Sequence, residues 1–176
     1  GHSVVGVDAS PAMLAQAEET GAYARLEAKD IADWSQRGAG LIYSNAALHW
    51  LKGHEDLMPR LAGLLGKGGT LAVQMPHQNN APSHRVWRSL AEEFFPERID
   101  FAAGPSVLLP SAYHAMLSNL GDLSIWETEY YQRLGADESG PPVRRFTEST
   151  YARPILAALE ADDQAMLVAR YEQVME

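Results

Sequence analysis

The feature that most constrains the fold is an alternation of short apolar runs with helical segments over the first 75 residues. Apolar runs typical of buried parallel strands fall at about 4–7, 23–28, 39–44 and 70–75. Ser10 and Pro11 mark the start of a helix over about 11–19. A stripe of leucines at helical spacing predicts a second helix over about 54–65. Because parallel strands need crossover helices, the pattern predicts an α/β sheet wound by right-handed βαβ units.

After residue 76 the pattern becomes mainly helical. Helices are predicted over about 84–95, 113–120, 148–159 and 162–174. The segment 122–134 alternates in the manner of a strand, and residues 135–143 are rich in turn formers. We therefore expect one domain over 1–176, with an α/β part at 1–76, mainly helical cover at 77–121 and 135–176, and a strand at 122–134.

Composition and charge exclude several classes of protein. The formal net charge is −9, from 14 basic and 23 acidic residues, so the chain is a poor nucleic-acid binder. It has no cysteine, which excludes disulfides and thiolate metal sites and fits a reducing cytoplasm. The histidines have no ligand spacing, so we expect no metal site. No apolar run is long enough to cross a bilayer, so we expect no membrane partner.

Polar residues follow three consecutive predicted strands. Asp8, Asp30 and Asn45 come at the strand ends, where open α/β sheets bind their ligands. A carboxylate at Asp8 can accept hydrogen bonds from both hydroxyls of a ribose, and one at Asp30 can face an adenine amino group. The alternatives are a helix-capping acid at Asp8 and a plain surface loop at Asp30. Three strand ends together predict one ligand-binding edge better than any one of them.

Four segments carry a resemblance to a known family. They read V-V-G-V-D-A-S-P-A-M-L, A-K-D-I-A-D-W, L-I-Y-S-N-A-A-L-H-W-L and G-G-T-L-A-V-Q-M-P. In this order they resemble the consecutive motifs of class I S-adenosylmethionine-dependent methyltransferases. The third and fourth segments, with F-T-E-S-T-Y-A-R-P-I-L further on, are most similar to the trans-aconitate 2-methyltransferase family. The resemblance implies a Rossmann-like three-layer αβα sandwich with extra helices over the substrate.

The resemblance also implies roles for residues at the strand ends. Asp8 would hold the ribose of S-adenosylmethionine, with Ala9 and Met13 beside the adenine. The other expected cofactor contacts are Asp30 and Ile31 at the adenine edge, and Asn45 and Ala46 beneath the sulfonium. Two family features have no match here: the glycine-rich motif D-x-G-C-G-x-G and a final antiparallel edge strand. The chain also begins without Met, almost inside a strand, so we expect it to be a piece of a longer protein.

The expected substrate is a small polycarboxylic acid. Its carboxylate is already anionic, so no general base is needed and we assign no catalytic residue. Because the chain is acidic, local arginines must attract the substrate, and bidentate guanidinium groups suit carboxylates. The substrate-binding candidates are His49, Trp50, Tyr131 and Arg153. Arg144 and Arg145 are alternatives, with a solvated surface pair as their plainer interpretation. His49 and Trp50 equally fit a core tryptophan with a rim histidine.

The sequence therefore predicts an S-adenosylmethionine-dependent O-methyltransferase acting on a trans-aconitate-like acid. A methyltransferase acting on another small metabolite is an alternative. An inactive methyltransferase-like module that only binds cofactor is another, since the glycine-rich motif is missing. A nicotinamide dehydrogenase shares the strand-end acid but leaves the N-A-A-L-H-W segment unexplained.

Overall fold

The computed structural model describes residues 2–78, 81–101, 104–131, 133–135 and 140–175. Its strands are β1 (Val5–Asp8), β2 (Arg25–Ala28), β3 (Ala39–Asn45) and β4 (Leu65–Gln74). Its helices are α1 (Pro11–Glu19), α2 (His54–Ala62), α3 (Pro82–Phe94), α4 (Pro110–Leu117), α5 (Pro142–Ser149), α6 (Arg153–Ala157) and α7 (Ala161–Met175). A short 3-10 helix covers Leu48–Trp50. None of the described helices is long and apolar enough to cross a membrane.

The strands pair in parallel, as the crossovers predict. β1 pairs with β2 in a register that runs from Val5 opposite Arg25 to Asp8 opposite Ala28. β3 pairs with β4, and backbone hydrogen bonds join like ends of the two strands, from Gly38 to Leu64 (2.8 Å) and from Ala46 to Gln74 (3.0 Å). Within the described residues these pairs form two separate two-stranded sheets. Parallel strands joined by helices are the arrangement of α/β folds.

Helix α1 has the predicted bounds because its boundary residues are set locally. Ser10 caps the helix by accepting a hydrogen bond from the Met13 amide at 3.4 Å, and Pro11 takes the first helical position. In α2, Leu57 and Leu61 are buried, as the leucine stripe predicts. Pro59 is accommodated inside that short helix.

The chain divides into two compact units. Unit 1 comprises residues 1–44, 53–73 and 113–123, and unit 2 comprises 45–52, 74–112 and 124–176. The buried side chains of unit 1 include Trp34, Ile42, Leu57, Met58, Leu61 and Leu64. Unit 2 has its own core, built from α3, α5, α6 and α7 around Trp87, Leu167 and Tyr171.

Two sequence predictions about these elements are wrong. The expected strand at 122–134 does not form: residues 122–131 have no regular structure and most are exposed. Alternating apolar and polar residues suit the two faces of a strand, but they do not provide a neighbouring strand to hydrogen-bond with. None of the described strands pairs with this segment. The expected helix over 148–159 is broken at Thr150–Ala152, and α6 restarts with Pro154 in its first turn. A proline is tolerated there but not in the middle of a helix.

Candidate functional site

Asp8 lies at the carboxyl end of β1, where the chain turns into α1. Its Oδ1 accepts a hydrogen bond from the Ser10 amide at 2.7 Å, and its carbonyl accepts one from the Lys29 amide at 3.1 Å. Among the described residues, no hydrogen bond reaches its Oδ2. One carboxylate oxygen thus shapes the turn before α1, whose cap is Ser10 and not Asp8, while the second is left available to a ligand hydroxyl.

Asp30 repeats this arrangement two residues after β2. Its Oδ1 accepts from the Ala32 amide at 2.8 Å, and the described part of the chain offers no partner to its second oxygen. Because Ala28 pairs with Asp8 in a parallel register, both carboxylates come at the same edge of the β1–β2 pair. Ile31 is partly buried beside Asp30.

Two further expected cofactor residues lie at the start of α1. Ala9 is exposed, and so is Met13, with 52% of its surface accessible. An exposed methionine near a strand-end acid offers a flexible apolar surface to a flat ring. Unit 1 therefore brings together five of the predicted cofactor residues.

Asn45 and Ala46 form the turn after β3. Ala46 has φ 49°, and it is the only non-glycine residue with positive φ among those described. The left-handed region costs a residue with a Cβ about 1 kcal/mol or more. A hydrogen bond from the Ala46 amide to the Gln74 carbonyl at 3.0 Å helps to hold this conformation. Strain of this kind is typical of functional turns, and it occurs where the sequence predicts the reacting end of the cofactor.

The His49–Trp50 pair follows within the 3-10 helix. His49 is buried, at 7% exposure, whereas Trp50 is 53% exposed. Their rings are 4.8 Å apart, and the His49 carbonyl accepts from the Ser106 amide at 2.7 Å. This is the reverse of the plainer interpretation, a core tryptophan with histidine at its rim. The indole is the more accessible of the two rings.

A cleft of about 750 Å³ in unit 2 contains three arginines. Its lining includes Arg144, Arg145 and Arg153, together with Phe146 and Leu156. These are the three arginines that the sequence analysis proposed for carboxylate binding. Apolar side chains and guanidinium groups suit a small, multiply charged acid, and the Glu148 carboxylate in the same lining is paired with Arg144.

The arginines of this cleft differ in their surroundings. Arg144 forms ion pairs with Glu148 and, at 3.0 Å, with Glu172, and its side chain is only 15% exposed. Partial burial works to lower the pKa of Arg144, but the hydrogen bonds and charges of these two carboxylates outweigh it and raise the pKa overall. Arg153 is exposed at the start of α6 and makes no ion pair within the described residues. The positive charge of Arg153 is therefore less compensated by carboxylates than that of Arg144.

Tyr131 does not join this cleft. Its side chain is 92% exposed, and its hydroxyl donates to the Glu129 carboxylate at 3.2 Å. Tyr131 lies in the segment for which a strand was expected, and the described residues 122–131 form none. Without that strand nothing directs the ring toward the arginines.

Sequence reasoning missed Arg60. This residue lies in the last turn of α2, and its guanidinium donates to the carbonyls of Trp34 (2.5 Å) and Ile31 (2.6 Å). No local pattern marks such a contact, because the partners are 26 and 29 residues away along the chain.

Comparison with known proteins defines the class and the family. A methyltransferase domain family matches residues 1–73. With the parallel strands and their strand-end acids, this match makes the chain an α/β methyltransferase. It is 35% identical to a trans-aconitate 2-methyltransferase of Klebsiella pneumoniae (strain 342) over 98% of this chain. It is 40% identical to that of Variovorax paradoxus (strain S110) over 97%, and 34% identical to that of Escherichia coli (strain 55989 / EAEC) over 98%. The chain covers 67% of each of these relatives. It belongs to the trans-aconitate 2-methyltransferase family.

Proposed function

We propose that this protein is an S-adenosylmethionine-dependent methyltransferase that esterifies a carboxylate of a trans-aconitate-like acid. The main support is similarity at 34–40% identity to trans-aconitate 2-methyltransferases over nearly the whole chain. The placement of Asp8 and Asp30 at one edge of the β1–β2 pair supports the cofactor independently.

The donor chemistry of unit 1 fits the adenosine part of the cofactor. Ribose hydroxyls and an adenine amino group are donors, and Asp8 and Asp30 each retain a carboxylate oxygen to accept them. Ile31 and Met13 supply apolar contact for the base. Hydrogen bonds to charged acceptors are stronger than those between neutral groups, so each acid contributes to both affinity and orientation.

We assign the turn at Asn45–Ala46 to the reacting end of the cofactor. S-adenosylmethionine, when bound, supplies an electrophilic methyl group on a positively charged sulfur. Asn45 is exposed at the end of β3 and offers a side-chain carbonyl oxygen, while Ala46 leaves space because it is small. The hydrogen bond from the Ala46 amide to the Gln74 carbonyl helps to keep this turn in its strained conformation.

The remaining task for the chain is to hold the substrate. A carboxylate is ionised at neutral pH and needs no proton removed before it attacks, so rate depends on alignment and exclusion of water. In a chain of net charge −9, the exposed Arg153 provides local positive charge in the cleft. We propose that Arg153 binds a substrate carboxylate and that Trp50 and His49 contribute a wall. The exposure of Tyr131 weakens its candidacy.

The test uses S-adenosylmethionine labelled in its methyl group and a panel of mono-, di- and tricarboxylates. A carboxyl ester is base-labile, so the label should enter the acid and be released as volatile methanol on alkaline treatment. We expect the highest kcat/KM with trans-aconitate. Label in a base-stable product would indicate another acceptor. Cofactor binding without transfer to any acid would indicate the binding-module alternative.

A further inference from the structure

The loop that follows β2 is tied to helix α2 by a guanidinium group. Residues 29–38 connect β2 to β3, and they carry Asp30 and Ile31 near their start. Arg60 donates to the Ile31 carbonyl at 2.6 Å and to the Trp34 carbonyl at 2.5 Å. These two hydrogen bonds join a helix and a loop distant in sequence, and all of these residues belong to unit 1.

The Ile31 and Trp34 carbonyls lie near the two ends of a tight turn that begins at Asp30. The Asp30 carboxylate accepts from Ala32, the Asp33 amide donates to the Asp30 carbonyl at 3.0 Å, and the Trp34 amide donates to the Ile31 carbonyl at 3.3 Å. The Trp34 side chain is buried, at 7% exposure, which fixes the far end of the turn. The Arg60 fork therefore joins the turn directly to α2.

Among the described residues, the Trp34 and Ile31 carbonyls are the hydrogen-bond partners of the Arg60 guanidinium. Within the part of the chain that the structure describes, it forms no ion pair with a carboxylate. Its planar fork has the geometry to donate to two acceptors at once, which an ammonium group on a flexible stem does not match. Its place in the last turn of α2 also suits the helix dipole, which accounts for a cation there but not for its choice of the Ile31 and Trp34 carbonyls.

We propose that Arg60 is a positioning residue for the cofactor: it holds Asp30 and Ile31 in the conformation that meets the adenine. The inference rests on the proposed function, because it needs the adenine to bind at this turn. Without the fork, the turn samples other conformations and cofactor binding must bear the cost of ordering it. Arg60 then affects affinity for the adenosine part and leaves the handling of the acid unchanged.

The test measures binding of S-adenosylhomocysteine and of adenosine by calorimetry, alongside steady-state kinetics. Arg60→Met keeps the apolar stem and removes the donors, and Arg60→Lys keeps the charge but not the fork. We expect Kd for both ligands to rise about tenfold in the methionine variant and by less in the lysine variant. The KM for S-adenosylmethionine should rise in step, while kcat at saturation and the KM for trans-aconitate stay within about twofold of the wild type.

Arg37→Met is the matched control, because Arg37 donates to a backbone carbonyl of Gly63 (3.2 Å) at the other end of the same loop. It should leave both Kd values unchanged. Two results overturn the positioning role alone. One is wild-type affinity in both Arg60→Lys and Arg60→Met when these variants are folded. The other is a loss of affinity for S-adenosylhomocysteine without a loss of affinity for adenosine. A wild-type protein that binds neither ligand overturns the cofactor site as well. If only Arg60→Lys folds, its Kd relative to that of Arg37→Met decides the matter.

Discussion

Asp8 has two carboxylate oxygens, and among the described residues only Oδ1 has a hydrogen-bond partner. Oδ1 holds the turn into α1 through the Ser10 amide, and we assign Oδ2 to the ribose. We expect Asp8→Ala to weaken S-adenosylmethionine binding by ~1–3 kcal/mol, as for loss of a charged hydrogen-bond acceptor. Asp8→Asn keeps an oxygen for Ser10, so it should fold like the wild type and still bind less tightly. Calorimetric titration of both variants gives the measurement, and undiminished affinity in both would remove Asp8 from the site.

Arg153 and Arg144 line the same cleft but should respond differently to the same substitution. Arg153→Lys keeps the charge and loses the bidentate fork, so we expect a raised KM for trans-aconitate with unchanged S-adenosylmethionine affinity. Arg144→Lys should mainly lower Tm, because Arg144 is held by Glu148 and Glu172. Steady-state kinetics and thermal melts on both variants separate these outcomes. If KM for every acid is unchanged in Arg153→Lys, then Arg145 becomes the carboxylate-binding candidate.

At this scale the sequence predicted acids and arginines but not their partners. The positions of Asp8 and Asp30 at the ends of β1 and β2 could be predicted because strand ends are local features of the sequence. Arg60 was not found, because its two acceptors lie 26 and 29 residues away and depend on how α2 packs. Tyr131 is exposed and does not line the arginine cleft, and its surroundings could not be predicted from its hydroxyl alone.

Among the elements, α5 is fixed in unit 2 by one buried hydroxyl. The Trp87 indole N–H donates to Thr147 Oγ1 at 2.8 Å, and Thr147 donates to the Val143 carbonyl at 2.9 Å. Trp87 also stacks on Tyr171 with ring centroids 4.0 Å apart, and the Tyr171 hydroxyl donates to the Ser83 carbonyl at 3.0 Å. These contacts link α3, α5 and α7 across the core.

Replacing this hydroxyl tests its contribution. Thr147→Val keeps the shape but leaves the buried Trp87 N–H without an acceptor, so we expect a loss of ~1–3 kcal/mol in the free energy of unfolding. Ser149→Ala is the control, because Ser149 is exposed on the same helix and should change stability by less than ~0.5 kcal/mol. Denaturant unfolding measures both. Equal stabilities for the two variants would show that the Thr147 hydroxyl contributes nothing.

Elements whose ends are set locally were predicted best. The bounds of α1 follow from Ser10 and Pro11, and the start of α2 lies where the leucine stripe places it. β4 was predicted to begin at residue 70 but begins at Leu65. The glycines at 66–69 are typical of a turn in the sequence, but in the structure they belong to this strand. Gly69 is needed there, since a Cβ would lie 2.7 Å from the Ala39 carbonyl oxygen. Such a close approach between strands has no signature in a single sequence.

Local stability should differ between elements. Helix α1 has no buried residue and β1 is only partly buried, whereas α3 and α7 contain Trp87, Ala91, Leu167 and Tyr171 at 0% exposure. Because local opening is easier where little apolar surface is buried, backbone amides of α3 and α7 should exchange with deuterium at least about tenfold more slowly than those of α1. Hydrogen exchange followed by NMR would check this. Equal exchange rates for the amides of α1, α3 and α7 would indicate that side-chain burial does not determine which helix opens first.

For the whole molecule, the fold class was predictable because alternation of strand and helix in a parallel sheet leaves few topologies. The division into two units could not be predicted from the sequence. Residues 45–52 belong to the same unit as 74–112 and 124–176, and not to the unit that contains residues 1–44. Contact across such sequence separations depends on packing, which hydrophobic periodicity does not encode. The net charge of −9 bears on which partners to expect and does not bear on the fold.

Acid should destabilise the molecule through a buried histidine at the start of α3. His84 is 6% exposed, its Nδ1 lies 3.0 Å from Ser83 Oγ, and its ring packs against the edge of Tyr151. Burial lowers the pKa of His84 below the ordinary value of 6.5, because the protonated ring loses its hydration. The unfolded chain therefore binds a proton at a higher pH than the folded chain does. By linkage, the free energy of unfolding is unaffected well above 6.5 and falls as pH drops from there toward the lower pKa of the folded state.

His84→Gln removes this titration and keeps a polar group for Ser83. We expect the wild type to lose more stability than the variant between about pH 7 and pH 5, the range in which an unperturbed histidine titrates. Near-ultraviolet circular dichroism of the stacked Trp87 and Tyr171 reports the unfolding of this core. His114→Gln, on the exposed face of α4, should keep the wild-type pH profile. If His84 is held neutral in the fold, stability should depend less on pH in His84→Gln than in the wild type. Equal dependence of stability on pH in the two proteins would mean that other groups account for the acid sensitivity.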